Sequence, residues 1–329
     1  MNFSLRWHRA TISLLAAAAL AVLAALPAAA SEDGHFDRTL TVSGAVSLEV
    51  ETGSGSITVR TGDSSRVEVH GSIHVSQSFF GDAKSRVAQI EQNPPIQQEG
   101  NSIIIGRSDD HELFNNISIS YEIVTPKDTK LRATSGSGGV KIDGVAGPVD
   151  TTSGSGGLQV SSIGGDVRAH TGSGGIDLEN VQGIAHVATG SGSIRAMGIA
   201  GAVNASTGSG DVHVQQTAAG DVEVTSGSGS ITLENVKGGA HVRSGSGTIH
   251  ATGEPLGDWS LQTGSGALNV KMPGDAKFNL TAFSGSGSIH TARNIEVSEM
   301  NSRHELRGKV NGGGPNVDLR TSSGSIQID

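Results

Sequence analysis

The chain has 329 residues, of which 48 are glycine, and it contains no cysteine. Only 17% of its positions are charged and 3% are aromatic, and the formal net charge is −9. This composition excludes a disulfide framework, a thiolate nucleophile and a zinc–cysteine site, and it disfavours a phosphate-binding surface spread over the whole protein.

The first thirty residues have the three regions of a secretory signal peptide. Basic residues precede an apolar run over residues 12–26, and Pro27 and small residues follow it. We expect cleavage after Ala30, because an alanine-rich run of this length is short for a helix that crosses about 30 Å of hydrocarbon. Residues 1–30 are therefore a predicted Sec-type signal peptide. The mature protein is expected in the periplasm, outside the cell or at its surface, with no transmembrane segment.

Residues 31–133 are predicted to form an irregular N-terminal β region. Short stretches of alternating apolar residues, such as Val46 and Leu48, indicate strands with one buried face. One insertion, at about residues 79–98, has apolar residues at near-helical spacing and is typical of a short helix or an ordered loop. We expect divergent coils interrupted by this insertion.

Residues 134–329 contain a Gly-Ser-Gly triplet that recurs at a nearly constant period. Between Gly136 and Gly264 successive triplets are 18 or 19 residues apart, which marks an internal structural repeat. The triplets begin at the predicted repeat corners Gly136, Gly154, Gly172, Gly190, Gly208, Gly227, Gly245, Gly264 and Gly285.

Each period contains two short strands. Ile176 and Leu178 alternate with polar residues, Val181 stands alone, and Ala185 and Val187 alternate again before the next triplet. Glycine at the corners supplies tight bends. Two such strands cannot enclose a core, so successive coils must stack and hydrogen-bond to each other. The predicted fold class is all-β: a single-stranded parallel β-solenoid, or β-helix, built from right-handed coils of about 18 residues.

Two other interpretations fit the composition less well. A flexible Gly/Ser linker has no reason to place aliphatic residues at i and i+2 in every half-period. A left-handed helix of the hexapeptide acyltransferase type also uses 18 residues per turn, but it buries an aliphatic residue every six positions. Here the spacing is two, three and then four.

Bulky residues gather at the two ends of the predicted stack. The aromatic residues of the mature chain are Phe36, Phe79, Phe80, Phe114 and Tyr121 before the regular repeats, and Trp259, Phe278 and Phe283 near their far end. We expect them to form caps over open strand edges. Nothing in the sequence follows the last strand, Ser325 to Asp329, to cover it, so end-to-end self-association through this strand is possible.

Outward-facing residues of equivalent strands are expected to form columns. The first-strand column is Lys141, Gln159, Asp177, Arg195, His213, Thr232, His250 and Asn269, and the second-strand column is Asp150, Arg168, His186, Asn204, Glu223, His241 and Ser260. Neither gathers the acids that calcium binding or glycoside cleavage requires. A third column, Ser155, Ser173, Ser191, Ser209, Ser228, Ser246 and Ser265, predicts a hydroxyl ladder along a corner. We therefore predict no catalytic, cofactor-binding or metal site.

The chain resembles a known bacterial family. Tyr121, Ile123 and Pro126 form a Tyr-x-Ile-x-x-Pro segment ahead of recurring Ser-Gly-x-Ile/Val units, after an export signal and an irregular β start. In these features the chain is similar to a family of unknown function whose members are labelled putative adhesins and are predicted β-solenoids. The resemblance covers the mature chain and implies a fold, and it carries over no catalytic residue.

Three functional hypotheses follow. The first is a non-enzymatic, exported scaffold or contact surface in the cell envelope that meets an envelope protein or a surface polysaccharide, with no cofactor and no nucleic-acid partner. The second is a polysaccharide lyase or hydrolase of β-helix type, with acids from the segment around Asp109, Asp110 and Glu112. The third is a self-polymerising envelope structural protein that assembles through its C-terminal strand.

Overall fold

The computed structural model describes residues 34–76, 83–108, 110, 112–302 and 304–329. The predicted signal peptide, Phe79, Phe80 and Asp109 lie outside these residues. Over the described part of the chain one helix accompanies 27 strands that belong to a single β-sheet. In that same part, none of the helical structure combines the length and the apolar character that a membrane crossing needs.

The N-terminal group contains seven strands and the helix. They are β1 (Gly34–Thr41), β2 (Val46–Thr52), β3 (Ile57–Thr61), β4 (Arg66–Val75), α1 (Ala83–Gln92), β5 (Ile96–Glu99), β6 (Ser102–Ile105) and β7 (Ile117–Thr125). Helix α1 lies within the segment predicted as an insertion and buries Val87 and Ile90, which are three residues apart and so share one helix face.

The middle group forms the regular stack. Its strands are β8 (Thr129–Ser135), β9 (Val140–Asp143), β10 (Val149–Ser153), β11 (Leu158–Ile163), β12 (Val167–Thr171), β13 (Ile176–Val181), β14 (Ala185–Thr189), β15 (Ile194–Ile199), β16 (Val203–Thr207), β17 (Val212–Gln216), β18 (Val222–Ser226), β19 (Ile231–Ser244), β20 (Ile249–Thr263) and β21 (Leu268–Lys271).

The C-terminal group closes the chain. It contains β22 (Phe278–Ser284), β23 (Ile289–Thr291), β24 (Glu296–Ser302), β25 (Glu305–Val310), β26 (Asn316–Thr321) and β27 (Ile326–Ile328).

Strands of the middle group pair in parallel with their equivalents on either side. Val167 of β12 pairs with Val149 of β10 and with Ala185 of β14. Alternate residues of each strand are buried, so each inward side chain packs on its equivalents. Burying one such aliphatic side chain contributes about 1.5–3 kcal/mol, and the stacked columns form a continuous core. The predicted all-β class with mostly parallel strands is confirmed.

A left-handed residue turns the chain in several coils. Gly144, Ser162, Asn180, Gly198 and Asn235 have φ angles between 57° and 84°. Each directly precedes a buried aliphatic residue: Val145, Ile163, Val181, Ile199 and Val236. Glycine and asparagine tolerate this conformation better than other residues. This bend is additional to the two glycine corners expected from the sequence.

At the N-terminal end the first coil lies inside the stack. Strand β2 pairs with β6 on one side and with β8 on the other, and β3 lies between β7 and β9. Beyond them β4 pairs antiparallel with β7 and with β1, and β5 pairs antiparallel with β6. The N-terminal coils are therefore not stacked in chain order. Strands β1, β4 and β5 supply the antiparallel pairing at this end.

The C-terminal end is built in the same way. Strand β26 lies between β20 and β22, and β27 lies between β21 and β23. The outer side of β22 pairs antiparallel with β25, which pairs with β24. The expectation that the last strand would be uncovered is wrong, because the chain returns and inserts this strand between two earlier ones. Self-association through it has no free edge to use.

The aromatic residues of the two ends differ in burial. Phe36 and Tyr121 are buried with ring centroids 6.4 Å apart, in an edge-to-face arrangement. Trp259 is buried and its Nε1 donates a hydrogen bond of 2.9 Å to the carbonyl oxygen of Gly238. Phe278 is also buried, but Phe283 is 45% exposed. Phe283 therefore does not act as the predicted cap.

Candidate functional site

The predicted corner glycines are close-packed positions. A Cβ atom at Gly190 would lie 2.3 Å from the carbonyl oxygen of Gly172, and one at Gly154 would lie 2.2 Å from that of Gly136. From Gly136 to Gly264 each leading glycine faces the leading glycine of the preceding triplet in this way. Gly285 faces Ser322 instead, because the C-terminal coil is inserted there. None of these corners has a left-handed φ, so glycine is required here by close approach.

A ladder of buried hydroxyl groups supports these corners. Thr171 Oγ1 donates a hydrogen bond of 2.9 Å to the carbonyl oxygen of Gly156 and accepts one of 3.2 Å from the Gly174 N–H. Equivalent donor bonds to a glycine carbonyl of the neighbouring coil measure 2.7–3.2 Å. The ladder consists of Ser135, Ser153, Thr171, Thr189, Thr207, Ser226, Ser244, Thr263, Ser284 and Thr321, all buried.

This ladder differs from the one expected from the sequence. The middle serines of the triplets, including Ser155 and Ser173, are exposed at the corner. The buried hydroxyl belongs to the residue directly before each triplet. The signal was present in the sequence, because that position is Ser or Thr ahead of every triplet. A side chain that is always a small hydroxyl inside an aliphatic column indicates a buried hydrogen bond.

The predicted outward columns are aligned as expected. Along the first strands, Gln159 pairs with Lys141 and Asp177, and Asp177 pairs with Arg195. The second strands carry two aligned rows, which together we call the two-row face. Row 1 is Asp150, Arg168, His186, Asn204, Glu223, His241 and Ser260, and row 2 is Thr152, His170, Ala188, Ser206, Thr225, Arg243 and Gln262.

A shallow cavity lies on the two-row face at its N-terminal end. It has a volume of about 540 Å³, and its charged lining residues are Glu49, Lys130, Arg132, Asp150 and Arg168. Arg132 Nη2 lies 3.0 Å from Asp150 Oδ2. The first residue of row 1 is thus already paired with Arg132, its neighbour on β8.

A second cavity lies at the other end of the face. It has a volume of about 380 Å³ and is lined by Arg243, Gln262, Arg320 and Phe283, with the corner residue Gly264 beside them. Arg320 Nε donates to both carboxylate oxygens of Asp318, at 2.8 and 3.1 Å. This hydrogen bond and the carboxylate charge raise the pKa of Arg320 above its ordinary value.

A groove of about 700 Å³ opens beside β2, at the N-terminal end of the regular stack. Glu51, Arg107, Asp110 and Phe114 line it. Arg107 Nη2 lies 3.0 Å from Glu49 Oε1 and 3.0 Å from Glu51 Oε1. The hydrogen bond to Glu51 raises the pKa of Arg107. One guanidinium therefore ties the two glutamates of β2 to the loop that follows β6.

Comparison with known proteins identifies the family. Residues 45–329 match the family described as Toastrack DUF4097. The chain belongs to this family. No curated protein matches it.

Three solved structures are similar to this Toastrack chain over most of its length. They are a putative cell adhesion protein from Clostridium sporogenes (12% identity, covering 89% of this chain and 98% of that one, TM-score 0.21), a putative adhesin from Bacteroides fragilis (10%, 90% and 97%, TM-score 0.29) and a putative adhesin from Parabacteroides distasonis (11%, 91% and 98%, TM-score 0.28). Similarity at this level assigns no function.

The acids named for the enzyme hypothesis are not gathered as that hypothesis requires. Asp110 Oδ1 accepts a hydrogen bond of 3.0 Å from the Leu113 N–H, so its carboxylate caps the turn that it begins. Glu112 is exposed on that turn. Asp109 lies outside the described residues. The lyase or hydrolase hypothesis is not supported by this geometry.

The histidines are spread over several coils of the Toastrack stack. His213 Nε2 lies 3.1 Å from Glu234 Oε1, and His250 Nδ1 lies 3.3 Å from the side-chain nitrogen of Asn269. Within the ranges that the structure describes, no group of three or more His, Asp or Glu side chains could hold a metal ion. The outward side chains can offer hydrogen bonds and charge to a partner along the strands.

Proposed function

We propose that this protein is exported and serves, without catalysing a reaction, as an adhesin-like scaffold in the bacterial cell envelope. Right-handed coils of about 18 residues hold the two-row face, and this face is the contact surface. Its partner is a surface polysaccharide.

The observation that carries the proposal is the unbroken register of the second strands. From β8 through β18 to the second half of β19, each residue of rows 1 and 2 pairs directly with its equivalent in the next coil. Neighbouring strands in a sheet are about 4.8 Å apart. Polar side chains are therefore held in two straight rows at a constant interval.

A repeating surface suits a repeating partner. A polysaccharide offers hydroxyl groups at regular intervals, so weak contacts can form at several coils at once, and linked contacts raise the overall affinity far above that of one contact. The strands are rigid before binding, which lowers the entropy lost when the partner is held. Rows of Arg, His, Asn, Ser and Thr supply both donors and acceptors.

The test compares two faces of the same coils. The triple variant Arg168→Ala, His186→Ala, Asn204→Ala alters row 1, and the matched control Gln159→Ala, Asp177→Ala, Arg195→Ala alters the first strands of the same coils. We expect the row 1 variant to lose at least about tenfold in binding to a glycan array or to purified envelope polysaccharide, because a lost hydrogen bond to a charged group costs about 1.5–3 kcal/mol. The control should bind as the unmodified protein does.

Two outcomes contradict the proposal. One is equal loss in both variants while their unfolding temperatures stay unchanged, which would separate binding from the two-row face. The other is an unmodified protein that binds no polysaccharide and retains only a protein from an envelope extract.

A further inference from the structure

The cavity at the C-terminal end of the two-row face combines side chains from four adjacent strands. Arg243 pairs with Gln262, Gln262 pairs with Arg320, and Arg320 pairs with Phe283. Strand insertion creates this order, because β26 lies between β20 and β22. Residues far apart in sequence therefore continue row 2 at intervals of about 4.8 Å.

The chemistry of row 2 changes at this end. Its earlier members from Thr152 to Thr225 carry no formal charge when histidine is neutral, whereas the cavity presents two arginines in a chain of net charge −9. The side chain of Arg243 is exposed and makes no hydrogen bond or ion pair with any residue that the structure describes. Arg320 uses Nε for Asp318, and its Nη1 and Nη2 bind no described residue. The guanidinium groups of Arg243 and Arg320 thus line the cavity with N–H donors that can bind a ligand.

Phe283 adds an exposed aromatic surface to these donors. It is 45% exposed, and among the described residues only Ile184, Leu256 and Phe283 are exposed large apolar side chains. Its strand neighbour on the inner side is Arg320 and on the outer side Glu305. An aromatic ring beside charged and amide groups is typical of small-ligand sites, where apolar surface gives affinity and a few polar groups give orientation.

We propose that this cavity binds a carboxylate-bearing sugar unit of an acidic polysaccharide. The planar guanidinium fork matches a carboxylate with two parallel hydrogen bonds, which favours Arg243 as the main contact. Gln262 has both donors and an acceptor for the sugar hydroxyls, and the apolar face of the sugar ring covers Phe283. A cavity of about 380 Å³ lies in the size range of small-ligand sites. This inference rests on the proposed polysaccharide contact and names the ligand class of its C-terminal end.

The experiment measures binding of trigalacturonate by titration calorimetry, with neutral galactotriose as the matched ligand. We expect Arg243→Gln and Phe283→Ala each to weaken trigalacturonate binding at least about tenfold, with unchanged unfolding temperatures because both side chains are exposed. Arg243→Lys should keep part of the affinity, since charge remains while the fork is lost. Arg195→Ala, which alters an exposed residue of the first-strand column outside the two-row face, should leave this affinity unchanged.

The outcomes separate this inference from the proposed function. Equal binding of trigalacturonate and galactotriose, or tighter binding of a phosphate-bearing polymer such as poly(glycerol phosphate), would overturn the carboxylate assignment. Loss of glycan binding in the row 1 triple variant together with full binding in Arg243→Gln would leave the two-row face as the contact surface and refute this cavity. If the protein bound no polysaccharide at all, both the proposed function and this inference would be refuted.

Discussion

The middle of the stack and its two ends differ in how the order of the coils in space follows their order in the sequence. From β10 to β19 each coil lies next to the coils that precede and follow it in sequence. The first coil instead lies between the coil of β6 and β7 and the coil of β8 and β9, and the last coil lies between the coil of β20 and β21 and the coil of β22 and β23. In a simple stack the terminal coil has one neighbour and opens first. Here the first coil (β2 and β3) and the last coil (β26 and β27) are not the open ones. The strands outside them are β4 and β1 at the N-terminal end, and β25 and β24 at the C-terminal end.

Removal of residues 316–329 is the strongest way to break this arrangement. The deletion removes β26 and β27 and with them four buried aliphatic side chains, Val317, Leu319, Ile326 and Ile328. At about 1.5 kcal/mol or more for each side chain, the loss is at least about 6 kcal/mol. Hydrogen exchange should show β22 and β23 unprotected while β12 to β16 stay protected.

The matched control for that deletion is removal of residues 34–41. Among the described strands β1 pairs only with β4, so its loss should lower the free energy of unfolding in urea by less and leave β2 and β3 protected. Equal costs for the two deletions would mean that insertion between two strands does not stabilise the C-terminal end. If the protein stayed folded and fully stable after the C-terminal deletion, insertion between two strands would likewise not stabilise this end.

Glycine-to-alanine substitution at two corners, Gly190 in the middle group and Gly53 at the N-terminal end, compares the stability of the two regions. Gly190→Ala places a Cβ against a carbonyl oxygen of the preceding coil, and overpacking of this kind costs about 1–3 kcal/mol. Gly53 leads a triplet of the same sequence at the N-terminal end, and a Cβ there meets no atom within 4 Å. Gly53→Ala should therefore change the free energy of unfolding by less than about 0.5 kcal/mol. If the two variants lowered the unfolding temperature by similar amounts, close approach of the neighbouring coil would not be the reason for glycine at Gly190.

Two buried threonines lie on neighbouring strands of the middle group, Thr151 on β10 and Thr171 on β12. Replacing each of them with valine should change the free energy of unfolding in opposite directions. Thr171→Val removes the hydroxyl that bridges Gly156 and Gly174 and leaves both backbone groups unpaired, at a cost of about 1–2 kcal/mol. Thr151 is equally buried, but its hydroxyl has no hydrogen-bond partner. Thr151→Val keeps the shape and should stabilise the protein by up to about 1 kcal/mol. The urea midpoints of unfolding of the two variants test this prediction. A lower midpoint for Thr151→Val than for the unmodified protein would refute it.

Alkaline pH should act on the N-terminal end before the middle. Burial raises the pKa of Tyr121 above its ordinary value of about 10, so the folded protein keeps the proton that the unfolded chain releases. Stability is therefore complete below pH 10 and falls as the pH rises above it, by at most about 1.4 kcal/mol per pH unit. Tyr121 is the only tyrosine, so ultraviolet absorbance reports its ionisation directly. Tyr121→Phe should remove this loss, and ionisation near pH 10 in the folded protein would contradict the burial argument.

Much of the middle could be predicted from the sequence. Alternation of apolar residues fixes which side chains face inward, and a constant period fixes which of them meet, so the columns through Asp177 and His186 have the predicted register. The hydroxyl ladder was misplaced by two residues, from Ser153 to Ser155, because the strict alternation ends where the chain turns into the corner.

The order of coils at the ends could not be predicted in this way. Gly136 packs on Gly53 and Gly285 packs on Ser322, at corners like those of the other coils. The corner sequence therefore does not identify which coil it contacts. The cavity around Arg243 and Phe283 was missed for the same reason, since its residues become neighbours only through this insertion.

The buried position of β27 gives it mechanical properties different from those of β1, the first strand that the structure describes. A force applied at Asp329 along the strand must slide β27 past β21 and β23 together, so the hydrogen bonds of two ladders break at the same time. A force applied at Gly34 opens the single ladder between β1 and β4, and there the bonds can separate one after another. A tether at the C-terminus would therefore hold against tension that strips the first strand from the other end.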